Sequence, residues 1–456
     1  MTLRDISPAV HDLVGIGFGP SNLALAIALQ EQAASGLPLD AHFLEKQQNY
    51  QWHGNTLVSQ SEMQISFLKD LVSMRNPTSP YSFVNYLHRH GRLVDFINLR
   101  TFYPSRMEYN DYLRWAASHF AGQCSLGEEV QTIEPEMDGG RIDRVRVISR
   151  DAQGRERTRV ARSIVLSTGG TPRIPEAFRG MRDDSRVTHH SGYLNWIRNQ
   201  PCVGGKPMRI AVIGAGQSAA EAFIDLHDNY PSVKVDWMVR GAALKPADDS
   251  PFVNEIFAPA YTDVVFEQAQ AGRDRLIEAY LNTNYSVIDA DLIEQIYAML
   301  YRQKVSGQFR ANLLTCKAVR AAHGGANGIE LTVATTAPGA GIDADSETRR
   351  YDAVVLATGY ERESHRRLLE PLARYLGDFS VDRNYRVQAA PELAVPVYLQ
   401  GFCQSSHGLS DTLLSVLPVR AEEIAGAIHD ALSANRDRCR APSTVQKGGS
   451  QAIAAA

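Results

Sequence analysis

Residues 212–223 read VIGAGQSAAEAF. An apolar run leads into two glycines one residue apart, and an alanine-rich stretch of helical composition follows. Strand, tight turn and helix in that order bring the backbone N–H groups of a helix N-terminus up to a nucleotide pyrophosphate. The chain carries the same layout a second time, as VGIGFGPSNLAL at 14–25. Two such turns, about 200 residues apart, predict two βαβ units and two dinucleotides.

The flanks agree. DLVGI (12–16) predicts a buried strand, Asn22 to Gln32 a helix, and AHFLEK (41–46) a second strand ending at Glu45. Around the later turn, RIAVI (209–213), a helix over about 217–229 and KVDWMV (234–239) repeat the pattern. SIVLSTGG (163–170) and DAVVLATGY (352–360) are further apolar runs that suit strands of a parallel sheet covered on both faces. The fold class expected is α/β: two Rossmann-like dinucleotide-binding domains with a small, mostly helical substrate domain. The divisions expected are 8–200 with 350–432 for the first unit, and 201–250 with 306–349 for the second. Residues 251–305 form the helical insertion. The stretch 433–456 has little apolar pattern and is expected to be disordered.

The two turns differ chemically. In the first, Gly15 and Gly17 take the leading positions of the G-x-G-x-x-G fingerprint and Gly19 follows, but the third position is Pro20, which suits the first turn of a helix. Glu45, at the end of the next strand, is placed to accept from ribose hydroxyls. In the second, Gly214 and Gly216 are followed by Ala219 at the third position, and the residue after the next strand is Arg240. A carboxylate there would repel a 2′-phosphate, whereas a guanidinium binds it with paired charged hydrogen bonds. The second site therefore reads as NADPH. A two-electron donor of that kind makes chemical sense beside a flavin, which can take a hydride and pass electrons to oxygen, so the first site reads as FAD.

Composition narrows the class. The chain has 456 residues, 44% hydrophobic and 21% charged, with a formal net charge of -4. That length holds about three domains, and the charge gives no basic footprint for nucleic acid. The longest apolar run, LALAIAL at 23–29, is too short to span a bilayer. The N-terminus lacks a cationic region followed by an apolar one, so a cytoplasmic protein is expected. Five cysteines (Cys124, Cys202, Cys316, Cys403, Cys439) are scattered without C-x-x-C spacing, which predicts neither a disulfide framework nor a zinc site. His189 and His190 are adjacent and cannot form the i, i+4 pair of a helical metal site; no metal is expected.

With both turns placed, DLVGIGFGPSNLALAIAL, WHGNTLVSQSEMQISFLKDLVSMRNPTSPYSFVNYL, NTNYSV, LATGY and HGLSDTLLSVLPVRAEEI resemble the microbial N-hydroxylating flavin monooxygenases. Among these the resemblance is to the L-ornithine 5-monooxygenases of pyoverdine-type siderophore synthesis, and it runs from about residue 11 to 432. It implies that Glu45 through His53 (with Lys46 and Trp52), Gln64, Val130, Thr412, Leu413 and Leu414 line FAD. It implies that Gly214, Ala215, Gly216, Gln217, Ser218 and Arg240 bind NADPH, with Asn284, Tyr285 and Ser286 facing its nicotinamide half. Lys69, Asn254 and Asn284 would hold the amino acid, with Ser415 close by and Asn284 positioning it. No side chain is implied as acid or base, because oxygen would add to flavin C4a as a hydroperoxide that the δ-amine attacks. From the residues alone, Lys69 reads as surface, Asn254 and Asn284 as loop or cap residues, and HGLSDTLL as a helix start capped by Ser410 or Asp411.

Rivals remain. An L-lysine 6-monooxygenase would share every motif above. A Baeyer–Villiger or sulfide-type monooxygenase would share both turns, but its F-x-G-x-x-x-H linker is not met: Phe178 and Gly180 are present, and His189 and His190 come too late. A non-catalytic NADPH sensor would not need a polar substrate region. L-ornithine and O2 are the expected substrates, and homo-oligomer formation is left open.

Overall fold

The computed structural model describes residues 9–59, 61–138, 140–336 and 346–440. It contains two five-stranded parallel sheets. In the first, Val397–Leu399, Ile164–Leu166, Leu13–Ile16, Ala41–Glu45 and Cys124–Leu126 lie side by side in that order. In the second the order is Val187–His189, Ala353–Leu356, Met208–Ile213, Val233–Met238 and Ala311–Leu314. Each glycine turn leaves the central strand, and the strand ending in STGG or ATGY is its immediate neighbour.

Burial explains the apolar runs. Leu13 and Val14 are fully buried, and the helix Pro20–Ala34 seals one side of the sheet through Leu23, Leu25 and Ile27. That helix packs on the C-terminal helix Leu417–Arg440, so both chain ends build one core containing Leu13, Ile27, Ile424 and Ile428. In the second unit the helix Gln217–Asn229 buries Ala219, Ala222 and Phe223 in one core with Val212, Val235 and Trp237.

The sheet pairing corrects the expected divisions. Val187–His189 and Ala353–Leu356, expected in the first unit, are strands of the second sheet, with Val355 beside Val212. A buried parallel strand has the same apolar signature whichever sheet it joins, so pattern alone could not choose. The helix Ala290–Ser306, expected in the insertion, buries Ile296 and Met299 in the second unit's core. What remains of the expected insertion is the run of helices from Pro251 to Thr283. Residues 433–440, where the sequence predicts a disordered tail, continue the C-terminal helix, as their one Ala and three Arg favour; 441–456 lie outside the described residues.

One glycine locks each turn against its neighbouring strand. Gly17 has φ +83°, and a Cβ there would stand 2.5 Å from the carbonyl oxygen of Ser167. Gly214 has φ +147°, with a Cβ 2.1 Å from the carbonyl oxygen of Ala357. Gly19 has ordinary φ and open space. Gly214→Ala is therefore expected to destabilise the protein by about 3 kcal/mol or more, through backbone strain and overpacking. Gly19→Ala, which only replaces a helix N-cap residue by a poorer one, should cost no more than about 1 kcal/mol. Chemical denaturation of both variants checks the contrast; equal destabilisation would mean the close approach to Ala357 is not what constrains Gly214.

Candidate active site

The first turn ends in a helix whose N-cap is Gly19 and whose first residue is Pro20, with no side chain capping the exposed N–H groups. Uncapped helix N-termini are ready anion sites. Asn22, fully buried, fixes the turn from inside: its Nδ2 donates to the Gly17 carbonyl (2.6 Å), and its Oδ1 accepts from Gln400 Nε2 (2.9 Å). Glu45 stands at the end of the adjacent strand, as the sequence predicts, but both carboxylate oxygens already accept backbone N–H groups, from Phe18 (2.8 Å) and Gln47 (2.9 Å). Glu45 thus shapes the loop and keeps spare lone pairs for a ribose. Beyond it, Lys46 is exposed, Trp52 donates its backbone N–H to Asn110 (2.7 Å), and His53 has left-handed backbone (φ 52°). Val130 is buried on Glu128–Asp138, an edge strand of a separate four-stranded mixed sheet.

The stretch HGLSDTLL does not form the expected capped helix. Leu409–Thr412 is one 3-10 turn with neither Ser410 nor Asp411 as cap, and the long helix starts only at Leu417. The Asp411 carboxylate is used otherwise: it accepts from the backbone of Cys403 (2.7 Å) and Gly401 (3.4 Å) and pairs with Arg420 (3.0 Å). Both charges are buried, and Arg420 also donates to Ser21 Oγ (3.0 Å) in the first turn of the glycine-turn helix. Thr412, Leu413 and Leu414 are thereby held beside the chain's beginning. Two buried polar atoms here lack a hydrogen-bond partner among the described residues, Gln400 Oε1 and Ser415 Oγ. Open space at Gly19, free helix N–H groups and these unused atoms fit a bound dinucleotide.

The second turn repeats the logic: Gly216 is the N-cap of Gln217–Asn229, again with no side-chain cap. Ala215 is half-buried against the second unit's core. Gly216 faces Ser286, 3.6 Å from its would-be Cβ, so the turn and the NTNYSV stretch form one wall. Gln217 is tied to Asp289 and Glu221, and Ser218 follows it in the first helical turn. Ser286 has φ 60°, and Tyr285 Oη reaches Gln404 (2.9 Å) and Thr412 (3.0 Å), joining this wall to the C-terminal segment. Arg240 is exposed just past its strand, and no side-chain partner holds its guanidinium among the described residues.

Lys69 lies on the loop behind Gln64. It is half-buried, its ammonium has no acidic partner among the described residues, and burial lowers its pKa from the ordinary lysine value. The adjacent Asp70 is not available to it, since its oxygens accept from the N–H groups of Val72, Ser73 and Phe83 and from Ser73 Oγ. An unpaired, partly desolvated cation is stabilised by an arriving carboxylate. Asn254 ends the short helix Pro251–Asn254, with its amide on the Asp249 carbonyl (2.7 Å); Asn284 follows a 3-10 turn, half-buried. His189 donates its Nε2–H to the Gly359 carbonyl (3.0 Å) and accepts the Ser191 backbone N–H at Nδ1 (3.1 Å), and burial lowers its pKa to about 4.

The family model described as L-lysine 6-monooxygenase/L-ornithine 5-monooxygenase matches residues 9–362. The chain belongs to this family. It is 61% identical to the L-ornithine N(5)-monooxygenase of Pseudomonas aeruginosa, over 95% of this chain and 96% of that one. The structure of an ornithine N-hydroxylase from Kutzneria sp. 744, whose description names reduced FAD, NADP+ and L-ornithine, has 38% identity and a TM-score of 0.86, covering 92% of this chain and 99% of that one. The L-lysine 6-monooxygenase of Pseudomonas syringae has 31% identity and a TM-score of 0.80, covering 92% and 100%. Among the described residues, no helix of this monooxygenase is long and apolar enough to cross a membrane.

Sequence reasoning missed Asn22, Gln400, Asp411 and Arg420 as the scaffold of the first site. The only signal was a polar Asn inside the apolar helix start, and that becomes informative only once Gln400 is known to face it. Removing one member of a buried ion pair leaves an uncompensated charge, which costs about 3–5 kcal/mol. Asp411→Ala should destabilise this monooxygenase by that amount, whereas Asp263→Ala, which removes the largely exposed partner of Arg383, should stay below ~1 kcal/mol. Denaturation curves of the two variants would expose an error if the order were reversed.

Proposed function

We propose that this monooxygenase hydroxylates the side-chain δ-amine of L-ornithine, with FAD at the first glycine turn and NADPH at the second. The observation that carries the reading is Lys69: a half-buried ammonium without an acidic partner among the described residues, on the loop that passes Gln64. The identity to the Pseudomonas aeruginosa ornithine enzyme over nearly the whole chain supports it. The lysine enzyme is a more distant relative. The product would serve hydroxamate siderophore synthesis in the cytoplasm.

Glu45 through His53, Gln64, Val130 and Thr412 to Leu414 would hold FAD. Gly214 to Ser218 and Arg240 would hold NADPH, with Asn284 to Ser286 at its nicotinamide half. Bound FAD, reduced by NADPH, supplies the oxygen chemistry, taking one atom of O2 to the amine. The chain's own task is placement: Lys69 would anchor the α-carboxylate, Asn254 and Asn284 the polar backbone end, and Ser415 Oγ offers a buried, unused hydroxyl. The amine must be neutral to attack. An alkyl amine in water titrates at roughly 10.4, so deprotonation at pH 8 costs on the order of 3 kcal/mol, and a water-poor site that disfavours the ammonium helps.

Lys69→Ala should leave stability and flavin content unchanged, since no partner is orphaned, and should raise the KM for ornithine by roughly tenfold to a hundredfold. Loss of flavin together with substrate affinity would make Lys69 structural. Arg240→Ala should raise the KM for NADPH by about tenfold or more and leave that for NADH nearly unchanged; a preserved NADPH/NADH preference would move the phosphate contact elsewhere.

The deciding experiment measures hydroxylamine formed per NADPH oxidised with ornithine and with lysine. One methylene is worth only about 1–3 kcal/mol of pocket discrimination. Misplacing the reacting atom by about 1 Å adds roughly a further 10²-fold at the chemical step. Ornithine should therefore give nearly one hydroxylamine per NADPH, and lysine mainly hydrogen peroxide. The opposite pattern would transfer the assignment to lysine 6-hydroxylation.

A further inference from the structure

Asp289 precedes the helix Ala290–Ser306 in the N-cap position, yet its carboxylate does not cap that helix. An Asp there normally accepts from the second or third helical N–H. Here Oδ1 accepts from Gln64 Nε2 (2.7 Å) and Oδ2 from Gln217 Nε2 (2.9 Å), while the Asp289 backbone N–H donates to Gln217 Oε1 (2.9 Å). Gln217 is the first residue of the second nucleotide-turn helix, and Gln64 belongs to the first unit. The same helix is clamped one turn later: Glu221, buried, takes both terminal nitrogens of Arg106 at 3.0 Å, and also accepts from Gln217 Nε2 (3.1 Å). Arg106 in turn donates to the backbone of Ser61 and Glu62, just before Gln64.

The polarity of this strap is forced. A carboxylate only accepts, so both glutamines must present their NH2 groups to Asp289. Gln217 has no freedom left, because its oxygen is held by the Asp289 N–H. Gln64 therefore keeps its carbonyl oxygen on the exposed side, where no described residue donates to it.

We infer that Asp289 is a positioning residue for electron transfer between the two nucleotide sites: it locks the start of the second nucleotide-binding helix to the wall of the first unit and fixes Gln64 as an outward-facing acceptor. The inference rests on reading the two turns as nucleotide sites. The Asp289 carboxylate accepts from the two glutamines and acts through them.

The test compares wild type, Asp289→Ala, Gln64→Ala and the double variant as FAD-loaded proteins. Anaerobic bleaching of the flavin by NADPH gives a limiting rate and a half-saturating concentration, and backbone hydrogen exchange is followed at 62–66 and at 401–412. In Asp289→Ala the limiting rate should fall about tenfold, as a displaced reacting geometry produces, with flavin content and half-saturation within about threefold of wild type. Exchange should rise at 62–66 and stay unchanged at 401–412. The double variant should lose no more than the slower single one, because the two residues act as a unit. A wild type whose flavin NADPH cannot bleach would overturn the nucleotide reading and this inference with it. A wild type that bleaches, with Asp289→Ala within about twofold of it or with effects that simply multiply, would overturn the inference alone. Loss of flavin with exchange rising in both segments would make Asp289 a general structural residue, and would overturn it too.

Discussion

Both nucleotide-binding turns depend on a backbone crowding that only glycine tolerates. Gly17 is pressed against the Ser167 carbonyl and Gly214 against that of Ala357, and in each case the contacted carbonyl lies just past the neighbouring parallel strand. The contact fixes how far each turn can rise above its sheet, and so where the helix N-terminus opens. In the first unit Asn22 and Gln400 then lock the turn from inside. In the second, Trp237 donates its indole N–H to the Gly214 carbonyl (2.7 Å). The two units reach the same backbone shape with different side-chain braces.

How legible this was depended on whether the signal was local. Helix Gln217–Asn229 and strand Met208–Ile213 match expectation almost residue for residue, because the glycines mark the turn and the apolar run has one interpretation. Assigning Val187–His189 and Ala353–Leu356 to a sheet failed, because membership is decided by partners far away in the chain. The candidate site divided the same way. The exposed position of Arg240 just past its strand was legible from the sequence. Lys69 was not: a lysine in a loop reads as surface until burial and the prior engagement of Asp70 show that its charge is unanswered. Asp411 was misread as a cap because its partner, Arg420, follows in a stretch with no marking pattern.

Three sets of ion pairs stand at junctions. Arg420 with Asp411 ties the C-terminal segment to the first helix, Arg106 with Glu221 ties the two units, and Arg383 joins Asp263 of the short helices to Glu423 of the C-terminal helix. Pairs of the buried kind add little net stability over apolar packing, but they tolerate only one geometry. A catalyst that must align two nucleotides and an amino acid gains from that intolerance.

The first sheet needs strands from both ends of the chain, with Leu13–Ile16 at its centre and Val397–Leu399 at its edge, and the helix Leu417–Arg440 covers it last. On a ribosome adding about 5–20 residues per second, the N-terminal strands wait tens of seconds for their partners. The second sheet, whose strands lie between Val187 and Leu356, is complete before those partners emerge. The order of closure is thus the reverse of the order of the numbering: the second sheet closes first, and the first, with Leu13–Ile16 at its centre, closes only after Val397–Leu399 has emerged.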